Sequence, residues 1–246
     1  MAKQRARGRG SAPTVGRSRT PTIIAVVTLL VLVGVIAVAV VSAQANKNAS
    51  LPVNQPVTPV NATYRTTVQN GVIVAGTGGT TIDVYEDALC PACKQFESVY
   101  GQQITDALNS GRLTVRYHMV NLLEQSSNPP GYSTLGGNAL ICAAQNGAFP
   151  TLHKTLYDRQ PSEGGAGYTV DDLVTLGKNS GAGGDYESCV RNGTYSAAVA
   201  ANYQQASTDP ALQQTSGGST GFGTPTIAIN GQRVDINSSQ FTAAIG

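Results

Sequence analysis

The chain has 246 residues, enough for one sizeable domain with further segments. Its 16 Lys+Arg and 14 Asp+Glu give a formal net charge of +2, but six of the cations fall in the first twenty residues, which hold no acid. The rest of the chain carries ten against fourteen, a net of −4, and that balance excludes a uniformly basic nucleic-acid binder.

The six cations (Lys3, Arg5, Arg7, Arg9, Arg17, Arg19) precede Ile23–Ala43, 21 residues without a charge. That length matches the roughly 20 apolar residues that cross a bilayer. The positive cluster keeps residues 1–22 cytoplasmic and sends the rest outside, a single-pass anchor at 23–43. The alternative is a cleaved signal peptide, since Ala43-Gln44-Ala45 resembles a processing site and would leave a secreted protein. A signal core is ordinarily only about 7–15 residues, so the anchor is preferred. In both cases the cysteines lie outside the cytosol, where disulfides persist. Membrane targeting also accounts for the arginines more simply than nucleic acid or lipid binding does. Residues 44–61, with Pro52, Pro56 and Pro59, read as a semi-extended linker that holds the domain off the membrane, with packing on the domain open for part of its end.

From Ala62 to Gly76 the pattern is a β-hairpin turning at Asn70-Gly71. Thr80–Glu86 is a strand, and it feeds Cys90-Pro91-Ala92-Cys93. Pro91–Ser110 is a helix with Phe96, Val99, Tyr100, Ile104 and Leu108 at helical spacing as its core stripe and Gly111 as a C-cap. Two cysteines three apart, where a strand ends and a helix begins, make a site for dithiol chemistry. Cys90 falls at the N-cap, where unpaired N–H groups and the helix dipole favour a thiolate. Pro91 takes the first helical position, where its missing N–H costs nothing. Cys93 is one turn on. Half of a zinc site is the rival reading, but it needs two more soft ligands. Cys142 and Cys189 are single and far apart, and neither His118 nor His153 neighbours a cysteine pair. Glu86 and Asp87 oppose a thiolate if they lie close to it; otherwise one of them relays protons, and Asp87 reads as a solvated strand end.

Leu113–Leu123 is a strand with His118 as a structural residue. Pro129-Pro130-Gly131 marks a loop. A helix-rich region follows, with helices at Ser133–Asn146, Phe149–Arg159, Val170–Lys178, Tyr186–Arg191 and Thr194–Ser207, and a weak capping box at Thr169 and Asp172. Gly217–Gly223 is a flexible approach to Thr224-Pro225. A proline cannot donate to a ladder, so Pro225 belongs at a strand start, as an ordinary trans loop residue or as a cis turn. Thr226–Ile236 is a hairpin turning at Asn230-Gly231, and Ser238–Ile245 begins a last helix.

A Cys-Pro-x-Cys after a strand with a Thr-Pro before a late strand resembles the thioredoxin superfamily. Cys90-Pro91-Ala92-Cys93-Lys94-Gln95-Phe96-Glu97, preceded by Tyr85-Glu86-Asp87, is similar to the DsbA-like branch of extracytoplasmic thiol–disulfide oxidoreductases, over about residues 60 to 246. The resemblance implies an α/β thioredoxin fold at 62–246 with a helical subdomain inserted at about 129–208. It implies that Cys90 attacks and Cys93 resolves, that Pro225 is cis and faces the pair beside Thr224, and that Glu97 is the acidic residue found after the motif. Ala92 stands where the best-known DsbA enzymes have a thiolate-stabilising histidine. The activity implied is donation of the Cys90–Cys93 disulfide to unfolded exported proteins with free cysteines. A quinone-linked membrane protein of the DsbB or vitamin-K-epoxide-reductase type would restore it. No cofactor, metal or nucleic acid is expected, and the chain is expected to be a monomer. Ala92 keeps an exported reductase or isomerase open as an alternative, and a non-catalytic membrane-tethered chaperone or binding module is the third reading. In an exported protein the even cysteine count pairs Cys142 with Cys189, as in some DsbA-like relatives. That bridge closes a loop of about 48 residues, for roughly 4 kcal/mol in the chain-entropy model; two free buried thiols are the alternative.

Overall fold

The computed structural model describes residues 51–216 and 218–246. The expected anchor at 23–43 and the segments flanking it, 1–22 and 44–50, lie outside the described residues. Among the described residues no helix is long and apolar enough to cross a membrane.

Strands β1 (Thr66–Gln69) and β2 (Val72–Gly76) form the first hairpin. Asn70 and Gly71 join them at φ 51° and 77°, the pair of positive angles that a two-residue type I′ turn demands. Strand β3 (Thr80–Glu86) leads to helix α1 (Pro91–Asn109) and then to β4 (Leu113–Met119). A late hairpin, β7 (Thr226–Ile229) and β8 (Gln232–Val234), turns at Asn230-Gly231, again with positive φ. These six strands form one sheet in the order β1-β2-β4-β3-β7-β8. Only β3 and β4 run parallel, as the crossover through α1 requires.

The alternation along β3 and β4 assigns the two faces. Ile82 pairs with Val115 and Val84 with Tyr117, and all four are buried. Asp83 pairs with Arg116 and Tyr85 with His118 on the opposite face. Helix α1 buries Cys93, Phe96, Ile104, Ala107 and Leu108. The expected stripe is wrong at one position: Val99 is 51% exposed, because it sits off the row through Phe96, Ile104 and Leu108.

Five helices separate β4 from the late strands: α2 (Tyr132–Gln145), α3 (Phe149–Asp158), α4 (Val170–Asn179), α5 (Tyr186–Arg191) and α6 (Ser196–Thr208). Helix α4 starts where Thr169 accepts from the Asp172 N–H and Asp172 accepts from the Thr169 N–H, a complete capping box. Helix α2 is buried nearly all round, as a central helix must be. Leu140, Leu152 and Leu173 of these helices share one core with Ile82 and Val115 of the sheet. Gly136 lets α2 approach the turn before Cys90, since a Cβ there would lie 2.7 Å from that of Ala88. Helix α7 (Ser239–Ile245) closes the chain, with Ser238 accepting from the Phe241 N–H.

Three local expectations are corrected. The end of the expected linker, Leu51 to Asn61, packs on the domain over more of its length than a semi-extended segment implies: Leu51 and Val53 pack on the core. The Arg159 guanidinium also donates to the carbonyls of Pro52, Gln55 and Pro56, which an extended proline-rich segment leaves unpaired. Strand β4 stops at Met119 instead of Leu123, and the Val120 N–H donates to Glu86 O as the chain turns off the sheet. In place of a flexible approach to Pro225, β5 (Gln214–Ser216) and β6 (Ser219–Gly221) form a small hairpin, with the hydroxyls of Thr215 and Thr220 2.9 Å apart.

Cys142 on α2 and Cys189 on α5 are joined, with Cα atoms 5.9 Å apart and a sequence separation of 47. The bridge ties the 14-residue α2 to the six-residue α5. Replacing both by serine should lower the unfolding free energy by about 2–5 kcal/mol. Urea unfolding of the double variant checks this; a loss under about 1 kcal/mol would show that packing alone holds α5 in place.

Candidate active site

Strand β3 ends at Glu86, and the turn Asp87-Ala88-Leu89 delivers Cys90 to the start of α1. The turn is held from three sides. Asp87 Oδ1 accepts from the Leu89 N–H and Oδ2 from the Leu123 N–H, both at 2.8 Å. Asp87 O accepts from the Cys90 N–H at 3.0 Å. Gln160, just beyond α3, donates from Nε2 to the carbonyls of Ala88 and Cys90 at 3.1 and 3.0 Å. Asp87 is therefore not a solvated strand end. It is fully buried, because the turn leaves backbone N–H groups that need an acceptor away from water.

Cys90 is the N-cap residue of α1 in extended conformation, with Pro91 next to it as expected from the dipeptide. Pro91 and Ala92 are exposed beside it. Cys90 shows 6% of its surface and Cys93 none, and both are free thiols. Because β7 runs antiparallel to β3, with Thr226 opposite Tyr85, the start of β7 lies at the Cys90 end of the sheet. The Thr224-Pro225 peptide there is cis. Cys90 Sγ donates to Thr224 O at 3.3 Å across 134 residues of sequence. The structure thus brings Cys90, Cys93, Thr224 and Pro225 together.

The surroundings separate the two thiols electrostatically. The Cys90 thiol is pulled down from its ordinary value to about 6. The Cys93 thiol as donor is the main cause, joined by the Thr224 hydroxyl and the N–H groups of Cys93 and Ala92, all against the opposing effect of burial. The Thr224 hydroxyl is buried with no other partner, so the thiolate is the acceptor open to it. Burial pushes Cys93 the other way, well above the usual thiol range, and the charges of Cys90 and Glu86 add to this. The site holds a thiolate at Cys90 and a proton at Cys93.

Behind the thiols, Tyr157 of α3 packs against Cys90 and Cys93 and meets the ring of His153 edge-on, with centroids 5.0 Å apart. His153 Nε2 lies 2.9 Å from Glu86 Oε2, and Nδ1 lies 3.8 Å from Glu97 Oε2. Burial pushes both carboxyls up out of the ordinary carboxylate range and pushes the imidazole down. Glu97 and His153 also line a cavity of about 420 Å³ between α1 and α3. His118 lies on the opposite sheet face, 2.8 Å from Asp83 and stacked on Tyr85. Among the described residues no further His, Asp or Glu completes a metal-ligand set with Cys90 and Cys93, so the zinc half-site finds no second half there. Spacing could not have found Tyr157, His153 or Gln160, which lie more than fifty residues from the motif. The one sequence signal was a histidine at a core position of an amphipathic helix.

Residues 77–246 match a family model described as thioredoxin. The fold resembles oxidised DsbA of Mycobacterium tuberculosis, with 24% identity, a TM-score of 0.57, and coverage of 74% of this chain and 93% of that one. It also resembles MdbA, a thiol-disulfide oxidoreductase from Corynebacterium matruchotii, with 19% identity, a TM-score of 0.60, and coverage of 75% and 92%. The serine/threonine-protein kinase PknE of Mycobacterium tuberculosis is 34% identical over 135 residues, 51% of this chain. The chain spans 24% of the length of that curated relative.

If Thr224 supplies a donor to the thiolate, Thr224→Val should raise the Cys90 pKa above its value of about 6. Thiolate ultraviolet absorbance against pH measures it. An unchanged midpoint would assign the depression to Cys93 and the helix N–H groups alone.

Proposed function

Because this chain belongs to the thioredoxin family, we propose that it is an extracytoplasmic thiol–disulfide oxidoreductase that donates its Cys90–Cys93 disulfide to exported proteins. The observation that carries the reading is the division of labour between the thiols: Cys90 at the helix N-terminus with its pKa pulled down to about 6, and Cys93 buried and held neutral. A low-pKa thiol is a good leaving group and makes its disulfide oxidising. This depression is reached with Ala92 in place of a histidine, and that favours the oxidase over the reductase.

The reaction begins when a client thiolate attacks Cys90 Sγ. The Cys90–Cys93 bond breaks, a client–Cys90 bond forms, and Cys93 leaves as a thiolate that takes up a proton. A second client thiolate then attacks the client sulfur of the mixed disulfide and expels Cys90 as a thiolate. The client loses two electrons and forms its disulfide; the enzyme gains them and becomes the dithiol. Extended client chain would bind at Thr224-Pro225, the segment just before β7, through backbone hydrogen bonds. A quinone-linked membrane protein of the DsbB or vitamin-K-epoxide-reductase type would reoxidise the pair. The anchor at 23–43 would hold the domain outside the membrane with its N-terminus in the cytoplasm.

Cys93→Ser should accumulate mixed disulfides with exported proteins, and the added change Cys90→Ala should remove them. Non-reducing electrophoresis of cells expressing each variant reads this directly. A Cys93→Ser protein that traps nothing would point instead to a tethered binding module.

A further inference from the structure

Beneath the cysteine pair, three elements place an imidazole and two carboxyls together: His153 from α3, Glu86 from β3 and Glu97 from α1. One nitrogen and one oxygen from each carboxyl lie within 4.8 Å of one another. The cluster is deep: the side chain of Glu86 is 0% exposed, that of His153 6% and that of Glu97 12%. No lysine or arginine pairs with either carboxyl among the described residues; the ion pairs of Lys154, Lys178, Arg116 and Arg191 all go to other acids. Buried carboxylates without a paired counter-charge are costly, and Lys154 favours the Glu97 charge only weakly, from beyond ion-pair distance. Both also keep a second oxygen, Oε1, buried and without a partner. Two acids and a neutral imidazole match a dication in charge. The adjoining cavity of about 420 Å³ gives an entry path past Glu97 and room for water.

We propose that Glu86, Glu97 and His153 bind one divalent cation of the zinc class, with water from the cavity in the remaining position. Three nitrogen and oxygen ligands plus a water form a recurrent zinc arrangement, with metal–ligand distances of about 2.0–2.2 Å. Such ligands sit roughly 3.4 Å apart around a tetrahedral ion; His153 Nε2, the ring nitrogen that would ligate, is already 2.9 Å from Glu86 Oε2, whereas Glu97 Oε2 approaches the other ring nitrogen at 3.8 Å and has to move to join the set. Glu97 faces the cavity, so its carboxyl has space to close the set. Protons held by the carboxyls leave to solvent when the ion enters. The ion would sit behind Tyr157, on the Cys93 side of the dithiol, where its charge would oppose the field of Glu86.

The test uses the full-length protein with the Cys90–Cys93 disulfide closed, so that thiolates are not available as ligands. Calorimetric titration with Zn²⁺ should give one ion per chain. Glu97→Gln should weaken binding by about 10–100-fold or more, at least the cost of losing an outer-shell partner. Co²⁺ should give a visible spectrum with nitrogen and oxygen ligands and no thiolate charge-transfer band, and His153→Gln should abolish it. Absence of stoichiometric binding, or binding unchanged in Glu97→Gln, overturns the site and leaves the carboxyls as holders of protons only. The disulfide chemistry does not depend on either outcome.

Discussion

The contact between Cys90 Sγ and the Thr224 carbonyl is the point on which the rest of the structure turns. It joins two segments 134 residues apart in sequence, and only the antiparallel pairing of β7 with β3 makes it possible. The N-terminus of α1 supplies N–H groups along one side of the sulfur. Thr224 supplies a carbonyl for the thiol and a hydroxyl for the thiolate. A strand, a helix start and a strand start thus converge on one atom. The five helices between β4 and β7 share the sheet's core, so they brace that convergence rather than hang from it.

The same geometry explains why two cysteines three apart behave so differently. Cys90 sits where the helix is rich in unpaired donors and still reaches the surface. Cys93, one turn deeper, has lost its water and faces Tyr157. Burial favours the neutral thiol at one position, while directed donors favour the anion at the other. Asp87 and Gln160 fix the turn that carries the sulfur.

Local rules made much of this legible in sequence. Asn70-Gly71 and Asn230-Gly231 announced their hairpins, because few other dipeptides accept two positive φ angles. Thr169 and Asp172 announced the start of α4, and Pro91 that of α1. Cys90, Cys93, Thr224 and Pro225 were readable as a set through their order and their resemblance to a family. What sequence could not supply came from long-range packing. Asp87 looks like any acid at a strand end until the Leu123 N–H arrives from 36 residues away. His153 is an ordinary core position of α3 until Glu86 and Glu97 appear on either side of its ring. Residues 51–61 read as a linker because their composition is that of one; the partner for their carbonyls, Arg159, lies about a hundred positions on.

The central claim is that this dithiol is poised to oxidise others. The reduction potential of the full-length protein, equilibrated against glutathione, tests it most directly. A stabilised Cys90 thiolate predicts a value between about −120 and −180 mV, the span from DsbA to protein disulfide isomerase. A value near about −270 mV, that of thioredoxin, would contradict the oxidase reading and make the chain a reductase.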